Sequence, residues 1–398
     1  MNERPSVVYV APDKMGGMMN ALANVLAFGP PDAFDSHVVL THNRLAEEPR
    51  FTDPLPRASR TVVEYTLPTE NLHAVMRRLA RAIPPGPGVV VAGDLLDLAT
   101  LSVHDVGRAV VLVLHGDQDY YYDLARKHDA VVHAYVAISR HMRDRLIACL
   151  PHRADSIVYI PHGVAMTPRV RRPSDGPLRL VFAGRLENSQ KGVLDLPAID
   201  ARLRRRGVEA RWTIIGDGPD GDRLRGEWPE SPAVRYLGVL SNAETIGTVA
   251  EHDVLVLPTR GEGFPVSVLE AMSVGVVPVV SDIPSGVPEM VTSGTTGFTA
   301  PVGDIERFAA AIERLHTDRA LLERMSRACR QRVEAEFDIR DRAADYHALF
   351  ARYESLYRPL SQDARLQYGS RLDRKWMPNA AVYAVRRGQR WLRQRRPS

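Results

Sequence analysis

The chain has 398 residues, 44% hydrophobic and 25% charged, with a formal charge of +4 and two cysteines. That length predicts about two to three domains, with roughly three quarters of the unfolded surface buried. Apolar runs such as Ala109–Leu114 (AVVLVL) suit buried strands and fall far short of a membrane span. Cys149 and Cys329 stand far apart without ligand-like spacing, which speaks against structural zinc and for a reducing cytosol.

Charge is unevenly placed. Residues 361–398 hold ten Arg or Lys against Asp363 and Asp373, about +8, which leaves about −4 on residues 1–360. The high pI therefore describes the tail, and the body carries no sign of a nucleic-acid-binding core.

Apolar runs alternate with helical patterns along the chain, the signature of parallel sheets with helices on both faces. Strands are predicted near Val7–Val10, His37–Thr41, Val89–Ala92, Val110–Leu114, Tyr135–Ile138 and Ile157–Ile160. Helices are predicted near Met18–Phe28, Leu72–Ala82 and His141–Leu150. No apolar signal core precedes the first strand, so the expected location is cytoplasmic. Gly163–Pro177, rich in Pro, Arg and Gly, reads as an inter-domain linker. A second strand series follows at Leu178–Ala183, Trp212–Ile215, Val234–Leu237, Val254–Leu257 and Val277–Val280, and a long helical stretch spans Asp304–Tyr357. Two tandem mononucleotide-type domains place a ligand cleft at the carboxyl ends of both sheets.

Several constellations carry chemistry. Lys14-Met15-Gly16-Gly17-Met18 follows the first strand. Its glycines either let backbone amides approach a phosphate or merely make a tight turn. His115 follows the strand ending at Leu114 and faces either the cleft or a satisfied turn. Tyr120, Tyr121 and Tyr122 either stack on sugar rings or pack in the core. Asp117-Gln118-Asp119 and Asp220-Gly221-Asp222 spell D-x-D but lack the strand context of a metal–nucleotide motif, and no metal is predicted. In Gly184-Arg185-Leu186 and Lys191-Gly192, Arg185 is expected to close a strand and Lys191 to open a helix. Two cations there suit the developing charge of a diphosphate.

Glu262 to Glu270 reads E-G-F-P-V-S-V-L-E after the strand Val254–Pro258. Pro265 suits the first turn of a helix running to about Ser273, and Gly275 its left-handed cap. Two carboxylates bracketing a helix entrance, whose N–H groups form an anion site, suit a polyanion bearing sugar hydroxyls.

This pattern resembles the E-x7-E signature of family 4 glycosyltransferases. The flanks are similar too: E-A-M-x-x-G-x-x-P-V-V through Val280, then Pro288-Glu289-Met290-Val291 and Gly294–Gly297. The resemblance implies the α/β GT-B fold, two Rossmann-like parallel-sheet domains facing across a cleft, with the last helix crossing back. It divides the chain into an acceptor domain (1–163), a donor domain (164–340), a crossover helix (341–360) and the basic tail (361–398). The activity implied is sugar transfer from a nucleotide-diphosphate sugar to a hydroxyl acceptor (glycan, lipid-linked sugar or small molecule), with retention and without metal or cofactor.

The same resemblance gives residue roles. Gly16, Gly17, Gly184, Arg185 and Lys191 meet the diphosphate; Gly216, Leu237, Gly238 and Leu240 surround the base. Glu262 and the Gly263, Phe264, Pro265 and Val266 backbone hold sugar hydroxyls, Glu270 the ribose, and His115 the sugar or acceptor. Two positions depart from the pattern: His162 stands where relatives often carry Asn, and Thr259 where they often carry Ser. A sugar-nucleotide epimerase or a non-catalytic donor-binding subunit is the alternative. The tail, where Trp376-Met377-Pro378 precedes an Arg-rich segment with Val382, Val385, Trp391 and Leu392, has two readings. It lies on an anionic membrane surface at the inner face, or it packs on its own protein with solvated Arg.

Overall fold

The computed structural model describes residues 4–14, 16–30, 32–46, 50–360 and 368–394, with side chains described up to Gln389. Expectations for Met15, for Trp391 and Leu392 packing, and for Arg365, Arg390, Arg393, Arg395 and Arg396 lie outside the described side chains.

Thirteen strands form two sheets among these residues. The first holds β1 (Ser6–Pro12), β2 (Asp35–Asn43), β3 (Ala58–Tyr65), β4 (Gly88–Ala92), β5 (Ala109–Leu114), β6 (Ala134–Ala137) and β7 (Ile157–Tyr159), ordered β3-β2-β1-β4-β5-β6-β7. The second holds β8 (Leu178–Ala183), β9 (Ala210–Ile215), β10 (Val234–Gly238), β11 (Val254–Leu257), β12 (Val277–Ser281) and β13 (Phe298–Ala300), ordered β10-β9-β8-β11-β12-β13. Every ladder pairing is parallel. Central strands such as β5 are buried along their whole length because helices cover both faces, which is why they read as unbroken apolar runs.

The strand order reverses between β1 and β4 and between β8 and β11, so each sheet has one crevice at its carboxyl edge. The loops after β1, β4, β8 and β11 therefore converge, and they carry Gly16–Gly17, Gly93-Asp94, Gly184-Arg185 and Glu262.

The edge strand β3 is not among the predicted elements. Only Val63 of its eight residues is buried, so its Arg, Thr and Glu positions give no apolar signal. The short edge strand β13 and the helices Leu95–Val103 and Asp119–Lys127 are further additions. The helical stretch Asp304–Tyr357 is corrected to four helices, Ile305–Thr317, Arg319–Glu336, Ile339–Phe350 and Tyr353–Leu356. Asp318 and Asp338 break it, because each carboxylate caps the following helix.

The chain leaves the first sheet at Tyr159 and enters the second at Leu178. It returns beside this connection, where Val164 N–H donates to Phe337 O (3.0 Å) and Ile339 N–H to Val164 O (3.2 Å). The helix Ile339–Phe350 then lies against the helix Gly17–Phe28 of the first lobe. Its fully buried Phe350 meets Tyr9 and Phe34 edge-on, at 6.2 and 6.4 Å between centroids. Among the described residues no helix is long and apolar enough to cross a membrane.

Of the two readings of the tail, the described part packs on the first lobe. Val382 is fully buried, and Leu72 N–H donates to Asp373 Oδ1 (2.7 Å).

Candidate active site

The second lobe supplies the acidic pair. After β11 the chain turns through Pro258–Pro265 into the helix Val266–Ser273, with Pro265 extended at its N-cap and Gly275 at φ +81° beyond its end. Glu262 is buried in the turn, 7% exposed, and its Oε1 accepts from Lys191 Nζ at 2.6 Å. Thr259 Oγ1 lies 2.9 Å from the same oxygen and 2.8 Å from Gln190 O, tying the turn to the Lys191 segment. Pro265 has no N–H, so the amides offered at this entrance are those of Gly263, Phe264 and Val266.

Glu270 is also buried, one turn inside the helix. Burial pushes its carboxyl above the usual carboxylate range, while a hydrogen bond from Asn242 acts in the opposite sense. That bond, from Asn242 Nδ2 to Glu270 Oε1, is 2.7 Å. The sequence reading missed Asn242. The available signal was S-N-A-E: Ser241 and Glu244 form a capping box that sets Asn242 at the first position of a helix.

Two sequence expectations are corrected here. β8 ends at Ala183, so Arg185 sits two residues beyond the strand, half exposed, with Nε 3.3 Å from Glu187 Oε2. Lys191 does not open a helix; it ends the single turn Asn188–Lys191, which Gly192 terminates in the left-handed conformation. A side chain at Gly192 would strike Pro258 O, and this close approach is what sets Lys191 beside Glu262.

Gly184, Gly216 and Gly238 lie at the ends of β8, β9 and β10. Gly184 N–H donates to Ile215 O (3.0 Å) and Gly216 N–H to Gly238 O (2.7 Å). Gly216 holds φ +122°, and a Cβ on it would fall 1.9 Å from Gly184 O. Leu237 and Leu240 are partly buried beside this edge.

The first lobe closes the site. Gly16 caps the helix Gly17–Phe28, and a Cβ on Gly17 would lie 3.7 Å from Val266 Cγ2 of the opposite lobe. Two helix entrances, one per lobe, thus abut. Gly263 packs against the turn after β5, where a Cβ would come 3.0 Å from Gly116 Cα and 3.2 Å from His115 O. The His115 ring stacks on His162 (6.5 Å, 12°), and His162 meets the Phe264 edge (6.0 Å, 83°). A small cavity of about 50 Å³ opens here, bordered by Val10, Ala11, Met18, Leu22, His115 and His162. Of the three tyrosines, Tyr122 is buried in the core, while Tyr120 is exposed and donates to Asp94, its ring edge-on to Tyr121.

Burial lowers the His115 pKa to about 3, with the neighbouring His162 adding to the effect, and lowers that of His162 to about 4. Both rings are therefore neutral hydrogen-bonding groups near neutral pH. Because the unfolded His162 takes up its proton near 6.5, its contribution to stability is complete above that pH and lost as pH falls toward 4. From about pH 8 to about pH 5, His162→Asn is expected to lose about 2 kcal/mol less stability than the parent. Urea unfolding at both pH values measures this, and equal losses in the two proteins would refute it.

Residues 177–318 match the sequence family described as Glycosyl transferases group 1. The second lobe is a group 1 glycosyltransferase domain. Within that match fall Gly184, Arg185, Lys191, Gly216, Leu237, Gly238, Leu240, Glu262, Gly263, Phe264, Pro265, Val266 and Glu270; Gly16, Gly17 and His115 precede it. The chain is 37% identical to a glycogen synthase of Mycobacterium tuberculosis over 171 residues, 42% of this chain and 41% of that protein. It is 30% identical to WcaL of Salmonella typhimurium, named for colanic acid biosynthesis, over 274 residues, 64% of this chain and 65% of WcaL. The chain thus spans less than two thirds of either relative.

Over most of the chain there is also a likeness of fold. The lipopolysaccharide outer core galactosyltransferase WaaB superposes with TM-score 0.65 at 20% identity, covering 87% of this chain and 99% of WaaB. HepE of Anabaena, solved with UDP and glucose, superposes with TM-score 0.70 at 16% identity, covering 87% and 99%. The two-lobed architecture is the GT-B fold.

Proposed function

We propose that this protein transfers a sugar from a nucleotide-diphosphate sugar to a hydroxyl acceptor. The observation that carries the reading is the Lys191–Glu262 contact at the mouth of the Val266–Ser273 helix, with the Gly16–Gly17 helix entrance of the other lobe against it. The cation and the two sets of amides suit a diphosphate, and the acids suit sugar and ribose hydroxyls.

In this reading Glu270, oriented by Asn242, accepts from the ribose. Leu237, Gly238 and Leu240 meet the base through their backbone, with Gly184 and Gly216 leaving room at the strand ends. Glu262 and the Gly263, Phe264 and Val266 amides hold the transferred sugar. As the bond from C1 to the phosphate oxygen breaks, Lys191, Arg185 and the amides of both helix entrances take up the growing charge, so no metal is needed. The acceptor oxygen bonds to C1 from the same face and gives its proton to the departing phosphate, with retention. Neutral His115 hydrogen-bonds the sugar or the acceptor from the first lobe.

The complexes of HepE with UDP and glucose support a UDP-sugar as the first donor to try, and the names of WcaL and WaaB support a glycan or lipid-linked acceptor. We propose that the reaction runs in the cytoplasm, with the basic segment facing the inner membrane surface.

A thermal-shift panel of UDP-, GDP-, ADP- and dTDP-sugars tests the donor. The true donor at about 100 times its Kd should add about 2.7 kcal/mol of stability. Transfer or slow donor hydrolysis should accompany binding. Release of an isomerised sugar instead would indicate an epimerase, and binding without either reaction a non-catalytic subunit.

A further inference from the structure

We propose that the docked C-terminal segment turns the outer face of the first lobe into a docking surface for an anionic lipid bilayer. The segment is not a loose basic tail. Asn71 Nδ2 donates to Arg374 O (3.0 Å) and Met377 O (2.8 Å), and Asn71 N–H to Asn379 Oδ1 (2.8 Å). Ser102 Oγ meets Tyr368 OH at 2.8 Å, and Val382 of the helix Asn379–Gln394 is fully buried. These contacts fix the segment to the helices Leu72–Ala82 and Leu95–Val103 and decide which side chains point outward.

The acids of this region are consumed by the attachment. Asp373 is held by Arg386 at 2.6 Å and by the Leu72 amide, and Glu70 pairs with Arg78 at 2.8 Å. Arg371, Arg374, Lys375 and Arg387 remain exposed, and among the described residues no carboxylate pairs with them. Arg77 adds to the same field, since it donates to Lys375 O (3.2 Å). Besides burial, the charges of Lys375 and Arg77 hold down the pKa of both His73 and His104, so cations of the segment and of the helix Leu72–Ala82 converge on these rings.

At the centre of this cationic turn Trp376 is 77% exposed, and Tyr383 and Val385 stand outward on the helix that follows. An indole with this little cover, directly after the exposed Arg374 and Lys375 in the chain, matches the interface of a bilayer. There the ring seats at headgroup depth and the cations meet lipid phosphates. An all-solvated Arg face would account for the charge but not for the uncovered Trp376.

The test uses the full chain, because removing the segment would uncover the surface under Val382 and Tyr368. Co-sedimentation with phosphatidylcholine vesicles, alone or mixed with phosphatidylglycerol, is measured for the parent, Trp376→Ala and the triple variant Arg374→Glu/Lys375→Glu/Arg387→Glu. The parent is expected to partition onto the anionic vesicles alone and to be released by salt. The triple variant is expected to lose about tenfold or more of that partition, and Trp376→Ala a smaller part. The thermal shift with a nucleotide sugar should be unchanged in both, so a failure here is separable from a failure of the transferase reading. No partition at low salt, equal partition onto neutral vesicles, parent-like behaviour of both variants, or tighter binding to a single-stranded oligonucleotide than to the vesicles would each overturn the proposal.

Discussion

Replacing Lys191 with Ala is expected to lower kcat for transfer by about 10²- to 10³-fold and stability by about 3 kcal/mol. The two losses have different origins. The catalytic loss comes from removing a positioned cation from the charge developing on the diphosphate. The stability loss comes from Glu262, which is 7% exposed and would keep its buried carboxylate with Thr259 Oγ1 as the remaining side-chain partner at Oε1. Adding Glu262→Gln to Lys191→Ala removes that stranded charge while keeping its shape. The double variant should regain most of the stability and none of the activity, as read by urea unfolding and single-turnover assays. Recovery of both together would mean that the pair is only structural. Donor affinity, read by thermal shift, should fall in either variant.

Gly216→Ala is expected to cost about 3 kcal/mol and to abolish donor binding. The position holds φ +122°, where an L side chain is strained, and the added Cβ would lie 1.9 Å from Gly184 O, a distance that atoms do not tolerate. The obstacle is backbone, so no rotamer change relieves it. β9 must shift away from β8, which adds repacking to the conformational cost. Gly238→Ala gives the contrast. It also has positive φ, +65°, but open space around its would-be Cβ, so about 1–2 kcal/mol is expected and donor binding should survive. Melting curves with and without nucleotide sugar separate the two variants. Similar losses in both would mean that the contact between Gly184 and Gly216 does not govern the edge.

Much of the fold was legible because parallel strands covered on both faces are unbroken apolar runs, as at Ala109–Leu114 and Val254–Leu257. The illegible elements fail that condition. β3 faces water at the sheet edge, and β13 is three residues long. The helix Leu95–Val103 is buried almost all round, so its sequence shows no polar face to set a helical period.

The candidate site divides in the same way. Glycines at strand ends, a proline at a helix entrance and two glutamates at fixed spacing are local features, and the letters state them. The sequence by itself determined two α/β lobes, their ligand edges and the residues offered there. Only the tertiary structure decided which of these residues meet. Lys191 reaches Glu262 across 71 positions, Asn242 reaches Glu270, His162 stacks on His115, and Asp373 caps Leu72 across 301 positions. Those meetings follow from strand order and from the return of the chain to its first lobe, which no local propensity encodes. The same packing turned a basic tail into a surface with a defined outward face.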